Sequence, residues 1–308
     1  MASGGQKETG DSLVKFRTLP LKPDNLHPRD VILVKDKLVI TEPNSYKVHV
    51  YRRHDGMLLS LSNKLESRPH GMCCVNDTDL CVAMINGTIT LMSVSDSGLI
   101  SRRITFRLRP SFDQFYGLAA FGDKIVVSGV NDYMICWCTV SLQQKLRDLA
   151  EILEGDMTSL EVISIDADFP SGVVQLDSLY RVCVGEMTFM TRKDNMVYMS
   201  CHTFTSDDQG VYGFNLLNPS QLPYRYKCEG LAWPSGITVD NLGYLFLCVW
   251  HFHSIHHLTQ KCELVTIYKE GIPPHPWAIF WDHGILYVTT SGKGSNVITM
   301  YRTHHEGK

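Results

Sequence analysis

The chain has 308 residues, of which 44% are hydrophobic and 20% charged, a balance that supports a packed core and excludes a disordered or collagen-like polymer. Its 29 basic and 32 acidic residues leave a net charge of −3, so no overall field draws it to nucleic acid or anionic lipid. No stretch reaches the roughly 18 uninterrupted apolar residues of a membrane helix.

The first twelve residues, Met1 to Ser12, are polar and small, without the apolar centre of a signal peptide. The expectation is a cytoplasmic protein with no membrane partner. Residues 1–10 read as a flexible tail, and Leu13-Val14-Lys15-Phe16-Arg17-Thr18-Leu19 then alternates as a strand does. From Pro28 onward one unit recurs: a Pro or aromatic residue near a small one, an apolar strand, a polar turn, a second apolar strand, a polar loop and a third strand. Copies open at Pro28, Pro69, Tyr116, Met187, Pro234 and Pro276. Except for one long interval before Met187, their starts lie roughly 41 to 48 residues apart, the length of a four-stranded propeller blade at about 40 to 50 residues.

A sheet of this kind has two apolar faces and cannot bury both alone, so copies are expected to pack face to face around an axis. The predicted fold is all-β, a six-bladed β-propeller. Its sixth copy lacks an outer strand, which Leu13–Leu19 is expected to supply, tying the termini together and removing two unpaired edges. The propeller should span residues 11–302, with an insertion around 141–186 and a C-terminal tail at 303–308. Within the insertion, Leu142, Leu146, Leu149, Ile152 and Leu153 follow an approximate helical spacing. A short helix or excursion between blades is expected there, with an eroded seventh blade as the competing reading. Of the ten cysteines, Cys73, Cys74, Cys81, Cys136, Cys138, Cys183 and Cys248 lie in apolar runs and read as buried, reduced thiols.

The stretch Pro234-Ser235-Gly236-Ile237-Thr238-Val239-Asp240-Asn241-Leu242-Gly243-Tyr244-Leu245-Phe246 resembles the opening of an NHL repeat. Thr41 to Tyr51 is similar to the later half of that repeat. The chain looks like the C-terminal propeller of a TRIM-NHL protein, without RING or B-box zinc ligands before it. The resemblance implies recruitment of a protein or, in some members, of RNA.

In a propeller, the loops before each first strand and between the second and third strands emerge on one end face. Partner-binding residues expected there are Arg29, Tyr46, His70, Tyr116, Tyr133, Trp233, His251, His253 and Trp277, since aromatic residues and arginine carry interface hot spots. Trp233 and Trp277 fit equally well as wedges between blades. Alternating histidines in His251-Phe252-His253-Ser254-Ile255-His256-His257 suit zinc chemically, but His256 and His257 should point to opposite strand faces. Pro69-His70-Gly71 is similar to the Pro-His-Gly motif of the six-bladed peptidyl-hydroxyglycine amidating lyases, which need that histidine in three blades. The matching positions here are Arg29, Tyr116, Ser235 and Trp277, so one ligand stands where three are required. The early Glu-Gly-Pro metal ligand of the gluconolactonase and regucalcin group has no counterpart.

No phosphate-binding loop and no nucleophile elbow occur. The basic pairs Arg52-Arg53, Arg102-Arg103, Arg107 with Arg109, and Arg192-Lys193 fall in turns or outer strands of different copies, where a solvated role is the default. The expected function is a non-enzymatic interaction scaffold that binds a protein through the loop-rich end face, without a cofactor or metal. A metal-dependent propeller enzyme of lyase or lactonase type, with ligands at the central channel, is the first alternative. An RNA-binding propeller is the second.

Overall fold

The computed structural model describes residues 12–24, 26–109, 114–121, 124–131, 134–141, 163–166, 188–201, 209–218, 221–230, 232–292 and 296–304. Every regular element among them is a β-strand. After β1 (Ser12–Pro20), the first blade is β2 (Asp30–Val34), β3 (Lys37–Glu42), β4 (Lys47–Arg52) and β5 (Leu58–Leu61). The second is β6 (Pro69–Cys74), β7 (Asp79–Met84), β8 (Thr88–Val94) and β9 (Ile100–Arg109). The third is β10 (Gln114–Phe121), β11 (Lys124–Asn131) and β12 (Met134–Ser141), followed by the short β13 (Ile163–Asp166). The fourth is β14 (Thr188–Lys193), β15 (Met196–Cys201), β16 (Gly210–Asn215) and β17 (Tyr224–Lys227). The fifth is β18 (Pro234–Val239), β19 (Leu245–Val249), β20 (Ser254–Leu258) and β21 (Leu264–Tyr268). The sixth is β22 (Pro276–Asp282), β23 (Ile285–Thr290) and β24 (Val297–His304).

The first strands close a circle: β2, β6, β10, β14, β18 and β22 each neighbour the next, and β22 returns to β2. Among the described residues six sheets therefore stand around one axis, one for each copy read from the sequence. β1 pairs antiparallel with β24 from Ser12↔His304 to Pro20↔Val297 and becomes the outer strand of the sixth blade. The expected closure by the N-terminal strand is thus present. The insertion contributes β13, which lies parallel on β9 and adds a fifth strand to the second blade. The predicted helix, around Leu142 to Leu153, lies outside the described residues.

Strands with both faces covered carry buried residues at every position, as β3, β19 and β20 do. The core is a set of inter-blade layers. Ile32, Val39 and Val50 of the first blade meet Met72, Val82 and Met92 of the second. Phe246, Cys248 and Ile255 of the fifth meet Ile279, Val288 and Tyr301 of the sixth. Cys73, Cys74, Cys81, Cys201, Cys228, Cys248 and Cys262 are free thiols. Burial pushes Cys74, Cys228 and Cys262 up to about 12, so they behave as small apolar side chains.

The sequence motif has a mechanical basis. Asp240 Oδ1 accepts the amides of Leu242 and Tyr244, which turns the chain between β18 and β19, and Gly243 takes the left-handed φ of 93° that the turn needs. A Cβ on Gly236 would lie 2.6 Å from the Trp277 carbonyl oxygen and 2.7 Å from Ala278 Cα. The small residue after the proline therefore lets two inner strands approach.

A hydroxyl on the second strand ties the ring together. The amides of Asp30, Gly117, Phe189 and Ala278 donate to Thr41, Ser128, Ser200 and Thr289 at 3.0, 3.0, 3.3 and 3.0 Å. Thr41 and Ser200 donate in turn to the backbone oxygens of His70 and Ser235 in the next blades, at 2.7 and 2.5 Å. At the same register the second and fifth blades have Ala83 and Cys248. In the fifth blade, Ser235 on the inner strand bonds forward to the Pro276 oxygen at 3.2 Å.

Ser200→Ala leaves a buried amide and a buried carbonyl without their partner, and is expected to cost about 1–3 kcal/mol in denaturant unfolding. Gly236→Ala is expected to cost about 1–3 kcal/mol from forced overpacking. Either variant unfolding at the wild-type midpoint would refute the role assigned to that residue.

Candidate functional site

Three blades build one pocket on the end face. In the first blade, Glu42 is 3% exposed. Its carboxylate accepts the amides of Asn44 and Ser45, which fixes the β3–β4 loop and holds Tyr46 at a φ of 60°. In the fifth, Trp233 takes a φ of 53° and its amide donates to Gln209 Oε1 at 2.9 Å. The Trp250 amide donates to the Trp233 oxygen at 3.0 Å, and the two indoles stack with centroids 5.1 Å apart. In the sixth, His275 has a φ of 53°, and its ring stacks on Trp250 at 4.2 Å. The Trp250 indole N–H donates to Ser291 Oγ at 2.5 Å. Left-handed backbone at non-glycine residues is uncommon and concentrates where the fold holds a particular loop shape.

Between these loops lies a cavity of about 260 Å³ walled by Trp233, Trp250, Trp277 and Arg29, with Pro28 and Pro43 beside them. Asn44, Ser291 and His27 supply its remaining polar lining. The Arg29 guanidinium carbon sits 4.8 Å from the Trp277 ring centroid, within cation–π range. Its Nε and Nη2 lie 2.8 and 2.5 Å from His70 Nε2. Arginine only donates, so this nitrogen presents its lone pair, and an imidazole making the bond is neutral with its proton on Nδ1.

Of the residues expected from sequence, Arg29, Trp233 and Trp277 come together in the pocket, and His251 and His253 are exposed next to Trp250. His70 requires a correction: it is 1% exposed, because the irregular pairing between Pro69 and Met72 accompanies a side chain turned inward beneath Arg29. It supports the face and is not displayed on it. Trp277, at 7% exposure, wedges between blades while still closing the pocket wall. Tyr46 is half-buried and stands apart, with the Lys64 ammonium 5.2 Å from its ring. Tyr116 lies on β10 at the irregular register between Phe115 and Gly117. Tyr133 falls outside the described residues.

Trp250 and Ser291 are the additions. Trp250 ends the apolar run Leu245-Phe246-Leu247-Cys248-Val249 and reads as core in the sequence. Its place at the mouth of the second-to-third-strand loop, the kind already assigned to this face, is the signal that could have singled it out.

Below the pocket, all six inner strands line an axial cavity of about 360 Å³. Asp30 lies at its wall, and its carboxylate accepts the amides of Val31 and Met72 at 2.8 and 2.7 Å. Burial pushes this carboxyl up to about 7, against the pull of those amides and of Arg29. No group of three His, Cys, Asp or Glu side chains converges for a metal among the described residues. The histidine string divides as its spacing predicts. His256 faces the Tyr226 hydroxyl at 2.8 Å, and His257 stacks on Phe246 at 4.6 Å. The basic pairs separate as well. Arg52 binds Asp55, Arg53 binds Asp282 and the Tyr287 hydroxyl, and Arg102 binds Glu66.

The buried imidazoles carry a pH dependence. Burial pulls His49 and His256 down to about 4 from an ordinary 6.5. Between those values the unfolded chain takes up the protons, so the stability these groups contribute is lost as pH falls from 6.5 to 4. Asp30 acts oppositely: its contribution is present below the ordinary 3.8 and is lost as pH rises toward 7. Two histidines outweigh one carboxyl, and the melting temperature is expected to climb from pH 4.5 to 6.5. A profile of unchanged slope in the double variant His49→Asn/His256→Asn would contradict this assignment.

No family model matches the sequence, and none of the curated proteins does. Among solved structures the chain is similar to the β-propeller domain of Myceliophteria thermophila Cps50 (Swd1), at 11% identity, covering 95% of this chain and 100% of that one with a TM-score of 0.61. It is similar to virginiamycin B lyase from Staphylococcus aureus at 16% identity, covering 97% and 90% with a TM-score of 0.56. A Bacteroides thetaiotaomicron protein of unknown function matches at 10% identity, covering 96% and 76% with a TM-score of 0.62. At such identities the likeness is one of fold, and it agrees with the closed circle of inner strands: the chain is a β-propeller.

Proposed function

We propose that residues 11–302 form an NHL-like interaction module that binds a protein partner through its end face, centred on the pocket of Trp233, Trp250 and Trp277. One observation carries this reading. Three indoles and an arginine from three blades wall a single concave site, and two of the indoles, Trp233 and Trp250, are only half-buried. Tryptophan and arginine dominate interface energetics, above all where neighbouring groups exclude water. The loops are held by Glu42, Gln209 and Ser291 before any ligand arrives, so little ordering entropy is lost on binding.

The NHL-like assignment is supported by the run from Pro234 to Phe246, in which Gly236, Asp240 and Gly243 each have a mechanical task. Free thiols such as Cys73 and Cys248 suit the cytoplasm, the location included in this reading. A protein is favoured over RNA because Arg52, Arg53 and Arg102, three members of the basic pairs, are engaged with acids away from the pocket. RNA needs cations and stacking rings along one continuous track.

The test is selection of displayed random peptides on the intact chain, followed by titration of an enriched peptide. Trp250→Ala is expected to weaken binding about 30-fold or more, the roughly 2 kcal/mol of a hot spot. Phe16→Ala, on the outer edge of the sixth blade, should leave affinity unchanged. Equal binding by Trp250→Ala, with an unaltered melting temperature, would remove the pocket from the function.

A further inference from the structure

Resting on the protein-binding reading above, we infer that the end face releases its partner in acid, because His253 holds the loop beside the pocket only while its imidazole is neutral. The direction of one hydrogen bond fixes the protonation state. The backbone amide of His275 donates to His253 Nδ1 at 3.0 Å. A backbone N–H can only donate, so this nitrogen presents its lone pair and the ring carries its one proton on Nε2. A second proton would go to Nδ1 and set two donors against each other. The bond is then lost.

What that bond holds belongs to the pocket. His275 takes a left-handed φ of 53°, a conformation that persists only where its surroundings support it. Its amide is tied to His253, its backbone oxygen accepts the Ser291 amide at 3.1 Å, and its ring lies on Trp250 at 4.2 Å. Ser291 in turn accepts the Trp250 indole N–H, and both residues line the pocket. Protonating His253 therefore frees the loop at the point where it covers Trp250.

The charges nearby favour this release. The His253 and His275 rings meet with centroids 4.5 Å apart, and His251 lies 6.1 Å from Trp250. Burial, and then the imidazoles of His253 and His251, hold His275 below the ordinary histidine range, against the pull of the Trp250 backbone. Among the described residues the histidine ion pairs are those of His54 and His283, and none of these three rings joins one. On the flanking segments Lys269 acts on His256 and Glu229 on Tyr226, while His27 and Arg29 stand across the pocket in the first blade. A proton on His253 thus meets further imidazoles and no paired acid. Histidine is the side chain whose charge ordinarily changes between about pH 5 and 8, where the carboxylates of a partner stay ionised.

The experiment takes a histidine-free peptide selected on the intact chain at pH 7.5 and titrates it from pH 7.5 to 5.5. Wild type is expected to lose affinity severalfold, toward the roughly tenfold that uptake of one proton near pH 6.5 allows. His253→Asn keeps an acceptor oxygen near the place of Nδ1, takes up no proton and suits the left-handed φ of 50°. It should match wild type at pH 7.5 and keep that affinity at pH 5.5. In the free chain, the nuclear magnetic resonance of the His275 amide should move with the His253 ring in wild type and stay still in His253→Asn.

Affinity that holds or rises toward pH 5.5 in wild type overturns the inference, and so does a His275 amide that ignores the His253 ring. An equal loss of affinity in His253→Asn also overturns it, assigning the proton to another group such as His27. The protein-binding reading survives each of these results if Trp250→Ala still weakens the peptide. No enriched peptide at all overturns both.

Discussion

Six inner strands must pack side by side around one axis, and where the fifth and sixth approach most closely only glycine fits. Gly236 lies against the backbone of Trp277 and Ala278 at distances where any Cβ would collide. Each blade also has a polar backbone there that water cannot reach. The hydroxyls of Thr41, Ser128, Ser200 and Thr289 satisfy the inner-strand amides, and Thr41 and Ser200 also satisfy the carbonyls of the following blades. Buried polar groups without partners cost more than the bonds themselves gain, so these hydroxyls hold the ring's geometry as well as its stability.

The site follows from that geometry. Because the inner strands converge, the residues that open them converge too, and Arg29, His70 and Trp277 meet although they are far apart in sequence. Arg29 touches His70 of the second blade and Trp277 of the sixth. Ser235 bonds to Pro276. A rigid ring thus presents loops from the first, fifth and sixth blades in fixed relation. The left-handed conformations of Tyr46, Trp233, His253 and His275 are held by the loops' own hydrogen bonds.

Propeller repetition permits variety at the rim. The position that is histidine in the second blade is serine in the fifth and tryptophan in the sixth, while the layers beneath keep the same apolar pattern. Identical residues in three blades would aim identical groups at the axis, as a metal site requires. Different residues at these positions do not form such a set.

Much of this was legible in the chain itself. The repeat starting at Pro28, Pro69, Tyr116, Met187, Pro234 and Pro276 determined an all-β ring, since a blade's two apolar faces can be buried only by further blades. The alternation in Leu13 to Leu19 identified the closing strand. The loop positions named Arg29, Trp233 and Trp277, because strand order decides which loops share a face. Only the tertiary structure decided how those residues divide. The irregular register at Pro69–Met72 recurs at Pro234–Ile237 and Pro276–Ile279, so it belongs to the repeat, but that His70 lies beneath Arg29 is decided by a contact with the first blade. Whether Trp250 is core or pocket wall depends on Trp233 and Ser291, which lie in other loops of the same face. A sequence specifies burial through its local period, but the meeting of loops distant in sequence is settled by the closure of the ring.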